Sequence, residues 1–299
     1  MASPLYIGVD VGGTKIDAGL ISGKRVLKKV RVPTEVKRGT KAVIKNISQA
    51  IANLENEKAK GVKGIGIGIA GQIDVNKGRV ISSPNLPKSF RDVDLAKAIK
   101  WTFKKPVKLE NDANAFTLAE ATYGAGKKHN LIVGLTLGTG IGGAIIIDKQ
   151  IIHGAHGTTG ELGHQTIVDY GENCSCGQRG HLEAYAAGPT IVRLYKKLSG
   201  KTAEPIEVEK RALGNKDAKA KEVFKLMSDS LATGLANIIN TLDPEVIIIG
   251  GGLSNVKIFV PPAIKLARKR VVYPTLTKTK IVRARLGQNA ALIGPTLLF

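Results

Sequence analysis

Cysteine is almost missing from this chain: among 299 residues there are two, Cys174 and Cys176, with one serine between them. Thiols so placed cannot staple a disulfide framework, and the expected setting is a reducing one, the cytoplasm. Aromatic side chains make up only 4%, too few to build the stacking platforms that single-stranded nucleic acids use. No run of about 18 apolar residues occurs, and no basic start leads into an apolar stretch, so neither a membrane span nor a secretory leader is expected. Acidic residues are the minority charge, 24 against 45 Lys and Arg, for a net charge of +21. That excess invites a nucleic-acid reading. The basic residues, however, are spread from Lys15 to Arg285 rather than gathered in one arm, and no DNA-binding motif accompanies them. We therefore expect no nucleic-acid partner. Lys104-Lys105 and the cluster at 265–270 read as solvated faces, and a basic surface serves equally to attract an anionic nucleotide.

What is plentiful is glycine, 35 residues, which suits tight turns between strands and helices. Hydrophobic content of 43% supports a folded globular protein, and the length suits two domains. The most informative stretch is 160–183, Gly160-Glu161-Leu162-Gly163-His164 and then Cys174-Ser175-Cys176-Gly177-Gln178-Arg179-Gly180-His181-Leu182-Glu183. His164, Cys174, Cys176 and His181 form a two-sulfur, two-nitrogen set of the kind that closes tetrahedrally on Zn²⁺. A glycine-rich surface loop with two incidental thiols is the alternative. Glu161 and Glu183 bracket the set without belonging to it, so their carboxylates are free to accept hydrogen bonds from a polyol.

The chain opens with a strand ending at Asp10, a Gly-rich elbow at Gly12-Gly13-Thr14-Lys15, and strands over 16–21 and 26–32. Such an elbow points backbone N–H groups at an anion, and Thr14 and Lys15 can add to the cradle. It lacks the Walker spacing and no helix follows it, so the P-loop and Rossmann readings both fail. A plain tight hairpin is the alternative. Asp10 speaks against it, because a carboxylate at a strand end beside a phosphate elbow is placed to hold Mg²⁺ through water. Apolar spacing predicts a helix over 40–58. Residues 62–70 read as a strand whose alternating glycines let another backbone come close. A strand over 106–109 runs into Glu110-Asn111-Asp112, ahead of a helix over 113–123. Asp112 reads as a helix N-cap and also, with Asn111, as an amide–carboxylate pair at a strand end, where α/β folds bind ligands. A strand over 131–137, the elbow Gly138-Thr139-Gly140-Ile141-Gly142-Gly143 and a strand over 144–147 repeat the grammar of the first elbow. Two such elbows suggest one nucleotide held by two similar halves. A helix over 221–242 carries Val223, Leu226, Met227, Leu231, Leu235, Ile238 and Ile239 on one face. A buried strand over 245–249 follows and ends in Gly250-Gly251-Gly252-Leu253, with room for a flat base against the backbone. A helix over 261–271, a strand over 281–284 and a last helix over 289–298 complete the reading.

Taken together, Asp10-Val11-Gly12-Gly13-Thr14-Lys15, Gly138-Thr139-Gly140-Ile141-Gly142-Gly143, Glu161-Leu162-Gly163-His164 and Cys174-x-Cys176-Gly177-x-x-Gly180-x-x-Glu183 resemble the ROK family (repressors, open reading frames, kinases). The sequence is most similar to that family's ATP-dependent sugar kinases of the glucokinase/hexokinase type, over essentially its whole length. The resemblance implies an α/β protein with the actin-like ATPase fold, two domains around a deep cleft that closes on substrate. Residues 1–112 plus 286–299 would form the small N-terminal domain, and 113–285 the large domain carrying the sugar loop and adenosine site. The implied reaction moves a phosphoryl group from ATP to the 6-hydroxyl of a hexose, glucose foremost, with Mg²⁺. Asp112 would be the base that takes the proton from that hydroxyl. Asn111, Glu161, His164 and Glu183 would hold other hydroxyls, and Gly71 and Asn85 would lie near the sugar. Gly12, Thr14, Gly138, Thr139 and Gly140 would line the phosphates, beside Asp10, Gly13 and Lys15. Gly250, Gly251, Gly252 and Leu253 would face the adenosine. The family pattern has a third cysteine where this chain has His181, and a Cys₂His₂ set remains chemically adequate for zinc. Family repressors carry a helix-turn-helix ahead of the first strand; only four residues precede Leu5 here, so that branch is not expected. A kinase of another sugar, such as N-acylmannosamine or fructose, and a catalytically silent sugar-binding regulator stay open as alternatives. A homo-oligomer, dimer or tetramer, is implied.

Overall fold

The computed structural model describes residues 3–54, 61–214 and 217–299. Strands β1 (Leu5–Val11), β2 (Lys15–Ser22) and β3 (Arg25–Pro33) lead through helix α1 (Thr40–Ala52) to β4 (Val62–Ile69). The hairpin β5 (Gln72–Asp74) and β6 (Arg79–Ser82), helix α2 (Leu95–Phe103), strand β7 (Val107–Asn111) and helix α3 (Asp112–Tyr123) follow. Next come β8 (Leu131–Leu137), β9 (Ile141–Ile147) and β10 (Gln150–Ile151), then helices α4 (Glu183–Ala186), α5 (Gly188–Ser199), α6 (Pro205–Leu213) and α7 (Ala218–Leu242). β11 (Val246–Gly250), α8 (Val260–Ala267), β12 (Lys280–Arg283) and α9 (Ala290–Ile293) close the chain.

The two elbows expected from sequence are the turns of two sheets with the same plan. One runs β3-β2-β1-β4-β7 and the other β10-β9-β8-β11-β12. Each starts as an antiparallel meander and continues as parallel strands. The repeat seen in the motifs is therefore a repeat of topology. Among the described residues no helix is long and apolar enough to cross a membrane.

Several boundaries differ from expectation. α1 ends at Ala52, and the expected end at Lys58 lies outside the described residues. α8 stops at Ala267, because Lys269 and Arg270 donate to the carbonyls of Leu266 and Ala267 in tighter three-residue turns that close the helix. The last expected helix is a single turn, α9, flanked by 3-10 turns, one of them carrying Pro295, a residue that supplies no N–H. Leu226 of α7 is 40% exposed, off the buried face to which spacing assigned it.

Contacts divide the chain into two units. The first comprises residues 1–128, 146–159 and 285–299, the second 129–145 and 160–284. An expected boundary after Asp112 falls inside the first unit because α3 packs on α9 and the C-terminal turn. In the first unit, Ile65, Ile67 and Ile69 of β4 join Val43, Ile47, Ile51, Leu95 and Ile99 in one apolar cluster. The glycines of β4 alternate with them onto the other face, as the period of a strand requires. Gly66 stands in register with Gly8, and Gly8 with Gly19, across three strands. A Cβ at Gly66 would lie 2.0 Å from the carbonyl oxygen of Pro295, and one at Gly8 1.8 Å from that of Leu292. The stripe exists so that the C-terminal backbone can lie directly on the sheet. In the second unit, β8 and β11 run parallel and buried, with α7 packed on α8, α5 and α6.

Candidate active site

In the first unit, β1, β4 and β7 are adjacent and parallel, so their C-terminal ends open on one edge of the sheet. There they carry the elbow at 12–15, Gly71, and Asn111-Asp112. The elbow is closed by the Gly12 N–H donating to Lys15 O at 3.0 Å. The Thr34 hydroxyl donates to Gly12 O at 2.6 Å and the Thr34 N–H to Thr14 O at 3.1 Å. A Cβ at Gly13 would come within 2.8 Å of the Asn85 carbonyl oxygen, so the loop bearing Asn85 packs on the elbow. Asn111 donates through Nδ2 to Gly71 O at 3.1 Å. Its Oδ1 accepts from the N–H groups of Ala113 and Asn114. Asn111 is thus the cap of α3 and Asp112 its first residue, which removes the plain explanation of Asp112 as an N-cap.

Asp10 stands at the end of β1, directly across from Asp17 on β2. Burial, then the charges of Asp112 and Asp17, push its carboxyl up to about 7. Burial acts on Asp17 as well, but the hydrogen bond from Arg31 (2.6 Å) and the charges of Lys29 and Lys15 hold it below the ordinary carboxylate range. Carboxylates crowded in this way suit a hard divalent cation held through oxygen and water.

Sequence reasoning passed over Glu110 and His153. Glu110 is 2% exposed. Its Oε1 accepts from the Asn111 N–H and from Asn114 Nδ2, both at 2.9 Å, and its Oε2 lies 2.7 Å from His153 Nε2. The only available signal was a third polar residue, Glu110, ahead of Asn111-Asp112 in a strand.

In the second unit, β8 and β11 end side by side, Gly250 pairing with Thr136. Gly138 donates to Gly140 O at 2.9 Å across the turn. Its carbonyl takes the N–H of Gly188, the first residue of α5, at 2.8 Å. Gly251 has φ +82°, and a Cβ there would lie 2.2 Å from Leu137 O. The Gly250-Gly251-Gly252-Leu253 turn therefore packs on Leu137, the residue before the Gly138-Thr139-Gly140 turn, at strand ends where α/β sheets bind ligands. Glu183 is less free than its sequence position suggested. Its Oε2 accepts from the Ile141 N–H at 2.9 Å and its Oε1 from the Ser175 hydroxyl at 2.6 Å. It ties the glycine turn to the cysteine loop. Glu161 is exposed, its Oε2 3.8 Å from His164 Nε2.

His164, Cys174, Cys176 and His181 converge as their spacing implied. Their ligand atoms all lie within 4.8 Å of one another. Cys174 Sγ is 3.6 Å from His164 Nδ1, and Cys176 Sγ is 3.2 Å from His181 Nδ1. Burial pushes the Cys174 thiol up, with the Cys176 and Glu183 charges adding to it. Four soft and imidazole donors at these separations, on a loop turned by the Gly177 N–H to Cys174 O bond (3.1 Å), fit the edges of a zinc tetrahedron.

The sequence pattern of the ROK family matches residues 6–299. The chain is 38% identical to a glucokinase of Thermotoga maritima over 96% of this chain and 95% of that one. Among solved structures it is similar to a ROK hexokinase from Thermus thermophilus, with a TM-score of 0.87, 33% identity, and 98% and 97% of the two chains covered. It is also similar to a ROK family glucokinase from Streptomyces griseus in complex with glucose and AMPPNP, with a TM-score of 0.84, 31% identity and 98% of each chain covered.

Proposed function

Because the chain belongs to the ROK family, we propose that it is an ATP-dependent hexokinase that phosphorylates the 6-hydroxyl of a hexose, glucose foremost. It has the actin-like ATPase fold of that family's sugar kinases. The observation that carries the reading is the placement of Asp112 on the first turn of α3, close enough to Asp10 to raise its carboxyl, in a chain alike over nearly its full length to a glucokinase solved with glucose and AMPPNP.

Phosphoryl transfer asks the protein for position and charge more than for covalent work. Asp112 accepts the proton of the attacking hydroxyl, a role worth about 10²–10⁴-fold for a well-placed base. Asn111, anchored through Gly71, fixes a neighbouring hydroxyl, and Asn85 borders the acceptor. Glu161, His164 and Glu183 accept or donate to the remaining hydroxyls. The elbow at 12–15 and Gly138-Thr139-Gly140 offer N–H groups to the phosphates, and Gly250, Gly251, Gly252 and Leu253 face the adenosine. Mg²⁺, when bound with ATP near Asp10, supplies positive charge to the phosphates. His164, Cys174, Cys176 and His181 would hold Zn²⁺ as a structural ion that fixes the loop carrying Glu161 and Glu183. His164 would give one ring nitrogen to zinc and offer the other to a sugar hydroxyl. The enzyme works in a cytoplasm that keeps both thiols reduced, and it assembles as a homodimer or tetramer. The test is a panel of hexoses with ATP and Mg²⁺, scored by sugar-dependent ADP release. Glucose should head the panel. Sugar-independent release across all members would refute the reading.

A further inference from the structure

The pair Glu110–His153 has no part in the roles given above. A buried carboxylate is costly unless its oxygens are paired and hydrogen-bonded, and Glu110, at 2% exposure, has three donors: the Asn111 N–H, Asn114 Nδ2 and His153 Nε2. Two of the three belong to the junction that carries Asp112. The third comes from a separate segment, where His153 follows β10 and opens a loop closed by the Thr159 N–H on His153 O at 3.2 Å. The hydrogen bond to Glu110, and next to it the Glu110 charge, raise His153 against the opposing effect of burial. Its Nε2 accordingly carries a proton toward Glu110.

We propose that His153 is a positioning residue for the phosphoryl transfer, holding Glu110 so that Glu110 in turn fixes the Asn111-Asp112 junction; this rests on the kinase reading above. Without a donor at His153, Oε2 is a buried lone acceptor. The carboxylate then turns toward solvent, which loosens the Asn111 N–H and Asn114 Nδ2 that Oε1 holds. Asn111 is also the cap of α3 and the partner of Gly71, so the disturbance reaches the helix turn bearing Asp112. A base displaced by about 1 Å loses on the order of 10²-fold in rate, whereas contacts to the nucleotide are untouched.

The experiment uses the full chain and begins with the wild type. Absence of hexose-dependent ADP release there overturns the kinase reading, and this proposal with it, before any variant is made. In an active wild type, His153→Ala should lower kcat by about 10- to 100-fold, with KM for ATP within about threefold and the glucose Kd, by calorimetry, raised by less than kcat falls because Asn111 is loosened with Asp112. Added imidazole should restore part of the lost kcat. His153→Gln keeps an amide donor of similar reach and should stay within about threefold of wild type. Wild-type kcat in a folded His153→Ala overturns the proposal, as does a tenfold loss in a folded His153→Gln. Should His153→Ala not fold, His153→Gln and His153→Asn decide. The shorter Asn cannot reach Glu110, so it should lose kcat where Gln retains it, and equal kcat in the two overturns the proposal.

Discussion

Replacing Asp10 by Asn should make the magnesium-free protein more stable, and more so as pH rises. The carboxyl moves from 3.8 in an open chain to about 7 in the fold, through burial first and the charges of Asp112 and Asp17 after it. The native state therefore binds a proton more tightly than the unfolded one, and wild-type stability falls as pH climbs from about 4 to about 7, staying at the lower level above that. At about 1.4 kcal/mol per pH unit, a displacement of this size corresponds to about 4 kcal/mol for a fully buried group. Asp10 is only partly buried, and solvent screening brings the expected gain for Asp10→Asn to about 2 kcal/mol. Most of that gain should be absent at pH 4.5 and present at pH 8. Urea unfolding of both proteins at the two pH values, in magnesium-free buffer, measures it. A stability difference that does not change with pH would refute the electrostatic account of this strand end. Mg²⁺ with ADP should then stabilise the wild type at pH 8 by more than it stabilises Asp10→Asn.

Three further outcomes are expected. Asp112→Asn keeps size and polarity but cannot take a proton, so kcat should fall by about 10² or more while the glucose Kd, by calorimetry, changes little; retention of more than about a tenth of kcat would show that Asp112 is not the base. Protein purified without added metal should contain one zinc per chain by elemental analysis, and His181→Ala should lose it and weaken hexose binding with KM for ATP unchanged; a zinc-free, fully active wild type contradicts this. Gly66→Ala should destabilise the fold by about 2–3 kcal/mol, read by denaturant unfolding, because the new Cβ would stand 2.0 Å from Pro295 O and the C-terminal turn must lift to admit it.

The sequence by itself determined whatever depends on neighbours along the chain. The alternation of Gly and Ile in β4 announced a strand with one apolar face and one face open to a backbone, and the structure lays Pro295 on that face. Both Gly-Thr elbows, the strand over 131–137 and the convergence of His164, Cys174, Cys176 and His181 were legible because turns and close ligand spacing are local properties. Tertiary structure alone decided the rest. Which backbone covers the glycines of β4, and that Gly8 and Gly19 join them in register, follows from strand order, which no local pattern encodes. Spacing put Leu226 on the buried face of α7, but it is exposed, since which side chains a helix buries depends on what packs against it. Capping of α3 passed from Asp112 to Asn111 through a one-residue difference in where α3 begins, finer than periodicity resolves. The coupling of Glu110 to His153 joins positions 43 apart. It exists because burial made the lone pairs of Glu110 expensive to leave unpaired, and only the folded chain could bring a donor to them.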